Sequence, residues 1–295
     1  MSDDDMADDD MSLPGEGVDV TMARATWSTG YFQAEVYASL MRELGYNVSE
    51  PAEAELANDV AYVSMAQGDI TFWVNSWYPG HRKFLKSELT DGSLVEDSVT
   101  AIGEELVAGG LQGLLISKDF ADEYGITTLE DLNSNADAIA ALDAVDGDPG
   151  NGVGNIYGCP ESWTCDDIIQ SQLAFAGLDN LKQILAGYDA MFAAALDDVN
   201  AGRPAVIYTW TPSAYVTQLL PGKNVYWIGY ESILDDSNPL GLEGGAELSQ
   251  VPGTGAIPEA SCPAAADNAD GLCPIGWIAA DILVTANNDF LDDNP

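Results

Sequence analysis

The hydrophobic pattern along the chain changes repeatedly between the period of a strand and that of a helix. Apolar residues recur at helical spacing in residues 32–44, ahead of Gly45, and a shorter helix is predicted at residues 60–67. In residues 126–132, Thr127 or Thr128 is a candidate N-cap followed by acidic residues. Short apolar runs typical of strands occupy residues 18–23, 70–74, 106–117, 205–210, 225–228 and 277–285. This alternation predicts an α/β fold.

The length of the chain favours two lobes over one, because 295 residues are many for a single hydrophobic core. Residues 1–12 (MSDDDMADDDMS) predict a solvated, disordered acidic leader, since a block of like charges does not pack. A second lobe is expected over residues 118–233. Residues 13–117 and 234–295 then form the first lobe, with a largely irregular Gly/Pro/Asp-rich stretch at residues 235–274.

The charge balance excludes some classes of partner. The chain has 49 acidic and 9 basic residues, a formal net charge of -40, so no Lys/Arg cluster is available for a nucleic acid backbone or an anionic lipid surface. No apolar run approaches the roughly 18 residues that cross a bilayer, so no direct membrane insertion is expected. Repulsion among so many acidic side chains is tolerated at high salt, which predicts a marine or halophilic setting. The alternative is that the acidity only confers solubility.

The four cysteines indicate the compartment. Cys159 and Cys165 enclose five residues and Cys262 and Cys273 enclose ten, and neither spacing is that of a zinc ribbon or a thioredoxin-like site. Two local disulfides are therefore predicted, which implies a periplasmic or extracytoplasmic protein. The N-terminus lacks a signal peptide pattern, so either the signal has been removed or the protein is cytosolic with four thiols.

Catalytic motifs are not apparent in the sequence. His81 is the single histidine, and the chain has no G-x-S-x-G, H-E-x-x-H, P-loop or G-x-G-x-x-G pattern, so no enzyme activity and no cofactor are predicted. Tryptophans are more informative, because four of the seven stand in polar, turn-like contexts: Trp27, Trp77, Trp163 and Trp210. Each can simply pack in a core, but a box of indole rings is the usual solution for binding a quaternary ammonium group.

Several segments, in this order, resemble the glycine betaine/proline betaine-binding proteins of ABC importers, the OpuAC family and its ProX-like branch. They are LPGEGV at Leu13, LGYNV at Leu44, GDITFWVNSWYPGH at Gly68, GCPESWTC at Gly158, YTWTP at Tyr208, LPGKNVYWI at Leu220 and the closing ILVTANNDFLDDNP. The resemblance implies a type II periplasmic binding fold, with two α/β lobes joined by a hinge and a ligand cleft between them.

The resemblance also assigns ligand-binding residues. In that family three tryptophans surround the methylated ammonium group, and Trp77, Trp163 and Trp210 match them. The ligand would be a small methylamine, delivered to an ABC permease at the membrane.

The family binds the anionic end of the ligand through a histidine four residues beyond the first tryptophan and through backbone N–H groups after the second. Those positions correspond to His81, Thr164 and Cys165. A Cys159–Cys165 bridge would stiffen the loop that presents Trp163, and Tyr208 would lie near the crossing between lobes.

Two departures from the family pattern bear on the ligand. Trp27 replaces a small polar residue and is expected to supply a fourth wall, and Glu161 replaces a neutral residue two positions before a cage tryptophan. A carboxylate at that position attracts the methylated ammonium and opposes a ligand carboxylate. Trimethylamine N-oxide is therefore favoured over glycine betaine, unless Glu161 is only an exposed charge. The alternatives are a choline- or carnitine-binding protein and an osmolyte-degrading enzyme.

A weaker pattern lies in DAVDGD, where the carboxylates of Asp143, Asp146 and Asp148 are closely spaced. Oxygen ligands of this kind suit a structural Ca²⁺, although the spacing is not that of an EF-hand. The alternative is a solvated turn.

Overall fold

Helices and strands alternate through the computed structural model, which describes residues 13–250 and 256–295, so the predicted α/β class is confirmed. The predicted leader at residues 1–12 lies outside the described residues. The helices are α1 Ser28–Glu43, α2 Asn58–Ala66, α3 Arg82–Leu85, α4 Lys118–Tyr124, α5 Leu129–Ser134, α6 Ala136–Asp143, α7 Thr164–Ala176, α8 Tyr188–Asn200 and α9 Asn288–Asp293. The strands are β1 Asp19–Val20, β2 Arg24–Ala25, β3 Asn47–Val48, β4 Glu55–Leu56, β5 Phe72–Tyr78, β6 Val99–Ser117, β7 Gly154–Tyr157, β8 Leu181–Ile184, β9 Val206–Thr211, β10 Val225–Trp227 and β11 Ala280–Asn287.

Strand β6 joins the two halves of the main sheet. The strand order is β5-β11-β6-β9-β7-β8, and β10 also pairs with β6. Residues 99–110 of β6 pair antiparallel with β11, whereas residues 111–116 pair antiparallel with β9. Strand β6 therefore changes partner between Gly110 and Leu111, beside the aromatic residues of β5 and β9.

The helix ends follow local chemistry. Helix α5 begins after Thr128, whose hydroxyl accepts from the N–H of Asp131 while the Asp131 carboxylate accepts from the N–H of Thr128. This reciprocal capping box satisfies donors that the helix itself leaves unpaired. Helix α7 begins after Trp163 and ends at Gly177, whose φ of 65° lies in the left-handed region that glycine adopts without penalty.

The predicted elements correspond to observed ones, with shifted ends. The helix predicted at residues 32–44 is α1, which begins at Ser28, and the strand predicted at residues 106–117 is β6, which begins at Val99. Residues 235–250 and 256–274 are irregular apart from two short 3₁₀ turns, as expected. Helices α3, α4, α6, α7, α8 and α9 have no counterpart among the predicted elements.

The predicted division into lobes stays a prediction, but residues 256–274 make contacts relevant to it. The N–H of Trp227 donates to the carbonyl of Ser261, and the N–H of Tyr230 donates to the carbonyl of Pro274. Both bonds join the predicted first lobe to a segment of the predicted second lobe. Among the described residues, no helix combines the length and apolar character needed to cross a membrane.

Candidate ligand-binding site

Four tryptophans that are distant in sequence line one cavity. Trp27 directly precedes α1, Trp77 lies near the end of β5, Trp163 directly precedes α7, and Trp210 lies in β9. All four are buried, each with at most 8% of its surface exposed. The structure therefore brings together the four tryptophans that the sequence singled out. We call this space the aromatic cavity.

The indole ring of Trp163 stands at steep angles to those of Trp27 and Trp210. The ring of Trp163 lies 5.5 Å from that of Trp27 at an interplanar angle of 72°, and 5.5 Å from that of Trp210 at 80°. Tyr188 supports two of these rings from behind, stacked on Trp163 at 5.5 Å and 4.8 Å from Trp210. Walls at such angles present several ring faces or edges to one small volume, which suits a compact group with methyls on several sides.

The cavity is small and its lining is uncharged. Its volume is about 40 Å³, where one water needs roughly 10–15 Å³. The described residues that line it include no Asp, Glu, Lys or Arg; beside the tryptophans, its polar members are Asn58, His81, Gln112, Thr164 and Tyr208. In a chain of net charge -40, this is a neutral aromatic compartment.

His81 lies on the wall of the cavity between Trp77 and Asn58. Its Nδ1 accepts from the backbone N–H of Trp77 at 3.2 Å, and its Nε2 lies 3.3 Å from Nδ2 of Asn58, which is also 3.5 Å from the hydroxyl of Thr164. Burial, with the nearby charge of Lys83 as a smaller cause, lowers the pKa of His81 to about 3. His81 is therefore a neutral imidazole at physiological pH.

The start of α7 forms another wall through Thr164 and Cys165, the first two residues of the helix. Their N–H groups have no acceptor inside the helix, and the positive end of the helix dipole lies there. Cys165 forms a disulfide with Cys159, with a Cα–Cα distance of 6.3 Å, so the loop that carries Trp163 is closed covalently. The second predicted pair, Cys262–Cys273, is also present, with a Cα–Cα distance of 5.9 Å.

Tyr208 lies two residues before Trp210 on β9, with its ring stacked 6.0 Å from that of Trp210. Its hydroxyl donates to Oε1 of Gln112 on β6 at 2.8 Å. Burial raises the pKa of the Tyr208 phenol, so the hydroxyl keeps its proton and remains a donor. This bond joins β9 to β6, and the expectation that Tyr208 lies near the crossing between lobes stays a prediction.

Glu161 lies outside the aromatic cavity. It is exposed, and it lines a neighbouring, more open depression together with Lys83 and Asp167, which form an ion pair. The depression and the aromatic cavity share Trp163 and Thr164 as walls. The structure thus does not bring Glu161 to the position beside the ring faces that the sequence suggested.

The carboxylates expected to ligate Ca²⁺ instead organise their own loop. Asp143 accepts from the backbone N–H groups of Gly150, Asn151 and Gly152, and Asp146 accepts from the side chain of Asn155. Within residues 13–250 and 256–295, no group of three or more His, Cys, Asp or Glu side chains is arranged to hold a metal ion. Asp143, Asp146 and Asp148 therefore form a hydrogen-bonded turn here.

Three polar residues of the site were not predicted from the sequence. Asn58 and Gln112 line the cavity, and Asn75 accepts from the indole N–H groups of both Trp27 and Trp77. The one sequence signal for Asn75 is its position as a polar residue inside the apolar strand run ITFWVNSWY.

Solved structures with the same fold define the class. ProX of Borrelia burgdorferi, described as a glycine/betaine/L-proline-binding protein, matches with a TM-score of 0.61 at 12% identity, over 93% of this chain and 77% of that one. Lactococcal OpuAC in complex with glycine betaine matches with a TM-score of 0.59 at 15% identity, over 94% of this chain and 80% of that one. The chain has the fold of the periplasmic substrate-binding proteins.

The chain belongs to the family described as the substrate binding domain of the ABC-type glycine betaine transport system, whose sequence model matches residues 18–242. It is 34% identical over 217 residues to the glycine betaine/proline betaine-binding periplasmic protein of Escherichia coli K12, across 73% of this chain. It is 29% identical over 284 residues to the glycine betaine-binding periplasmic protein OusX of Dickeya dadantii, across 96% of this chain and 75% of that one. The chain spans 62% of the length of the Escherichia coli relative.

Proposed function

We propose that this protein captures a trimethylammonium osmolyte in the aromatic cavity as the extracytoplasmic substrate-binding component of an ABC importer. The observation that carries the proposal is the convergence of Trp27, Trp77, Trp163 and Trp210 on one small, uncharged, buried space. Indole faces attract a methylated ammonium through the ring quadrupole, and burial strengthens that attraction. Family membership and the periplasmic relatives support the transport role and the location.

Aromatic contacts alone reach micromolar affinity only at their upper limit. Each ring contributes roughly 0.5–2 kcal/mol, so four rings contribute about 2–8 kcal/mol, and micromolar binding needs about 8 kcal/mol. Hydrogen bonds to the negative end of the ligand must add to this. The N–H groups of Thr164 and Cys165 at the start of α7 are suited to that role.

Asn58 is the second group proposed to bind the ligand oxygen. Because Nδ1 of His81 accepts from the N–H of Trp77, the neutral ring carries its proton on Nε2 and faces Asn58 as a donor. Rotation of the Asn58 amide by half a turn lets its oxygen accept from that donor. The NH₂ group of Asn58 then faces the cavity. In this arrangement His81 orients Asn58.

Trimethylamine N-oxide is favoured over glycine betaine as the ligand on two observations. Trp27 closes a fourth side of a small cavity, and among the described lining residues no Arg or Lys is present to pair with a carboxylate. The N-oxide has the same methyl cone and a single oxygen in place of the longer carboxymethyl arm. Glu161, in the adjoining depression, acts on either cation only at longer range.

Choline and carnitine are the alternative ligands within the class. A choline-binding protein shares the fold, with a TM-score of 0.59 at 16% identity, over 93% of this chain and 73% of that one. An enzyme that degrades the same osmolytes is the alternative from another class. Ligand-dependent closure of the lobes without turnover separates binding protein from enzyme, and delivery to a permease follows closure.

Calorimetric titration with trimethylamine N-oxide, glycine betaine, choline and carnitine tests the proposal. Trp163→Leu is expected to weaken binding of the preferred ligand by about 1–3 kcal/mol, because a ring face is lost and water enters the cavity. Trp227→Leu is the matched control, since Trp227 is equally buried but lies on β10 outside the cavity lining. Equal binding by both variants, or consumption of ligand by the wild type, would contradict the proposal.

A further inference from the structure

Asn75 stands at an irregular point in β5. Along the pairing with β11, Leu283 faces Ser76 and Val284 faces Val74, so Asn75 is an extra residue with no partner opposite. Its φ of 105° lies in the left-handed half of the backbone map, which costs a residue with a Cβ conformational energy. Bulges of this kind re-aim a side chain and recur beside binding sites.

The re-aimed side chain contacts two walls of the aromatic cavity at once. Oδ1 of Asn75 accepts from Nε1 of Trp27 at 2.6 Å and from Nε1 of Trp77 at 2.8 Å. Only the oxygen can serve here, because an indole N–H is a donor and never an acceptor. The side chain is fully buried, and among the described residues its Nδ2 has no hydrogen-bond partner.

A single oxygen shared by two indoles ties their orientations together. Each ring has its N–H edge directed at Asn75, which restricts rotation of the indole about the bonds to its Cβ. Gly110 confines Trp77 further, since a Cβ at that position would lie 2.7 Å from the ring. The packing of β5 alone does not explain why the chain tolerates a strained backbone and an unpaired Nδ2 at Asn75. Both features follow from placing the Asn75 oxygen between Trp27 and Trp77.

We propose that Asn75 is a positioning residue that sets the relative orientation of Trp27 and Trp77 and so makes the four-walled aromatic cavity selective for trimethylammonium ligands. This inference rests on the proposed function for its ligand, but the hydrogen bonds themselves can be tested without any ligand. Without the shared oxygen the two rings stay buried but lose their fixed relative angle. Binding a ligand must then order the two rings, and this entropic cost lowers the affinity.

The first experiment observes the indole N–H signals of the free protein by NMR after ¹⁵N labelling of tryptophan. In Asn75→Gly, which suits the positive φ, the signals of Trp27 and Trp77 are expected to move upfield, while that of Trp163, bonded to Thr26, stays in place. Ser76→Ala is the matched control. Ser76 is the next residue along the strand, and its buried hydrogen bond is to Thr285 and not to an indole. Unchanged Trp27 and Trp77 signals in Asn75→Gly would overturn the inference.

The second experiment titrates trimethylamine N-oxide and glycine betaine into the same variants. Asn75→Gly is expected to bind the preferred ligand about tenfold more weakly or worse, and Ser76→Ala within about twofold of wild type. If the wild type binds neither ligand, the proposed function fails and the NMR result still decides the hydrogen bonds. If the wild type binds and Asn75→Gly binds equally well, the positioning role is wrong.

A second variant that keeps a side-chain oxygen tests the inference even if Asn75→Gly does not fold. Asn75→Asp is expected to keep both indole signals at or downfield of their wild-type positions, since a carboxylate oxygen accepts from the same two donors at least as strongly. Upfield movement of both signals in a folded Asn75→Asp protein would overturn the inference.

Discussion

The indole N–H of Trp163, at the start of α7, donates to the hydroxyl oxygen of Thr26 at 2.8 Å. Thr26 lies between β2 and α1 in the predicted first lobe, whereas Trp163 lies in the predicted second lobe. The ion pair of Lys83 with Asp167 joins the same two parts of the chain beside the cavity. Trp163, which forms one wall of the aromatic cavity, is thus oriented by a hydrogen bond to a residue of the other predicted lobe.

Replacing Thr26 with Val removes the acceptor and keeps the shape. The N–H of Trp163 is then left buried and unpaired, which costs about 1–3 kcal/mol, and the ring loses the bond that orients it in the cavity wall. We expect ligand affinity to fall by about fivefold or more in a calorimetric titration. Thr29→Val is the control and should bind as wild type. It removes a nearby hydroxyl that has no hydrogen-bond partner among the described residues.

The two disulfides are expected to differ in their effect on binding. Ser substitution of both Cys159 and Cys165 frees the loop that carries Trp163, so ordering that loop is added to the cost of binding. We expect about tenfold weaker binding, against a change within about twofold when Cys262 and Cys273 are replaced instead. Both double variants lose stability, so affinities are compared where each is folded. Equal losses of affinity would contradict the role given to the first bridge.

The pH dependence of stability should carry the signature of His81. Its pKa is lowered from 6.5 to about 3 on folding, so between these values the unfolded chain binds a proton that the folded chain does not. Stability contributed by neutral His81 is present above pH 6.5 and is lost as the pH falls towards 3. Denaturant unfolding at pH 7 and pH 5 should show a larger loss for wild type than for His81→Gln. The many carboxylates are common to both proteins and cancel in the difference.

How far the sequence predicts this site depends on the kind of residue. Four tryptophans in turn-like contexts were identified because a large apolar ring is unexpected among polar neighbours, and the cysteine pairs because short spacings favour local closure. Asn58 carries no such signal, and that of Asn75 is only a polar residue within an apolar run. Their roles come from partners distant along the chain, such as Trp27, which is 48 residues before Asn75.

Helix α7 shows why parts of the fold were missed. Its buried positions include Thr164, Asp166, Ser171 and Gln172, so the inward face of the helix has no clear hydrophobic period. The first half of β6 was missed for a related reason, since Glu104 and Glu105 interrupt its apolar run. Burial of polar groups through hydrogen bonds is a tertiary effect that a local pattern does not record.

The position of Glu161 makes a specific prediction about charge. Because this carboxylate is exposed and lies outside the aromatic cavity, Glu161→Gln should weaken both trimethylamine N-oxide and glycine betaine by less than about threefold. The small effect should vanish in 1 M salt, where the screening length is about 3 Å. A tenfold loss confined to the N-oxide would show instead that Glu161 enters the cavity in the bound state.

We expect the aromatic cavity to recognise the positive charge of a trimethylammonium group and not only its shape. The most direct measurement compares two pairs of ligands by calorimetry: trimethylamine N-oxide with tert-butanol, and glycine betaine with 3,3-dimethylbutanoate, in which carbon replaces the charged nitrogen. We expect binding near micromolar for the preferred charged ligand and at least about a hundredfold weaker binding for its carbon analogue, since four rings lose their attraction for the cation. Equal affinity for the charged ligand and its analogue, or no binding of any trimethylammonium compound, would show that the cavity does not recognise this charge.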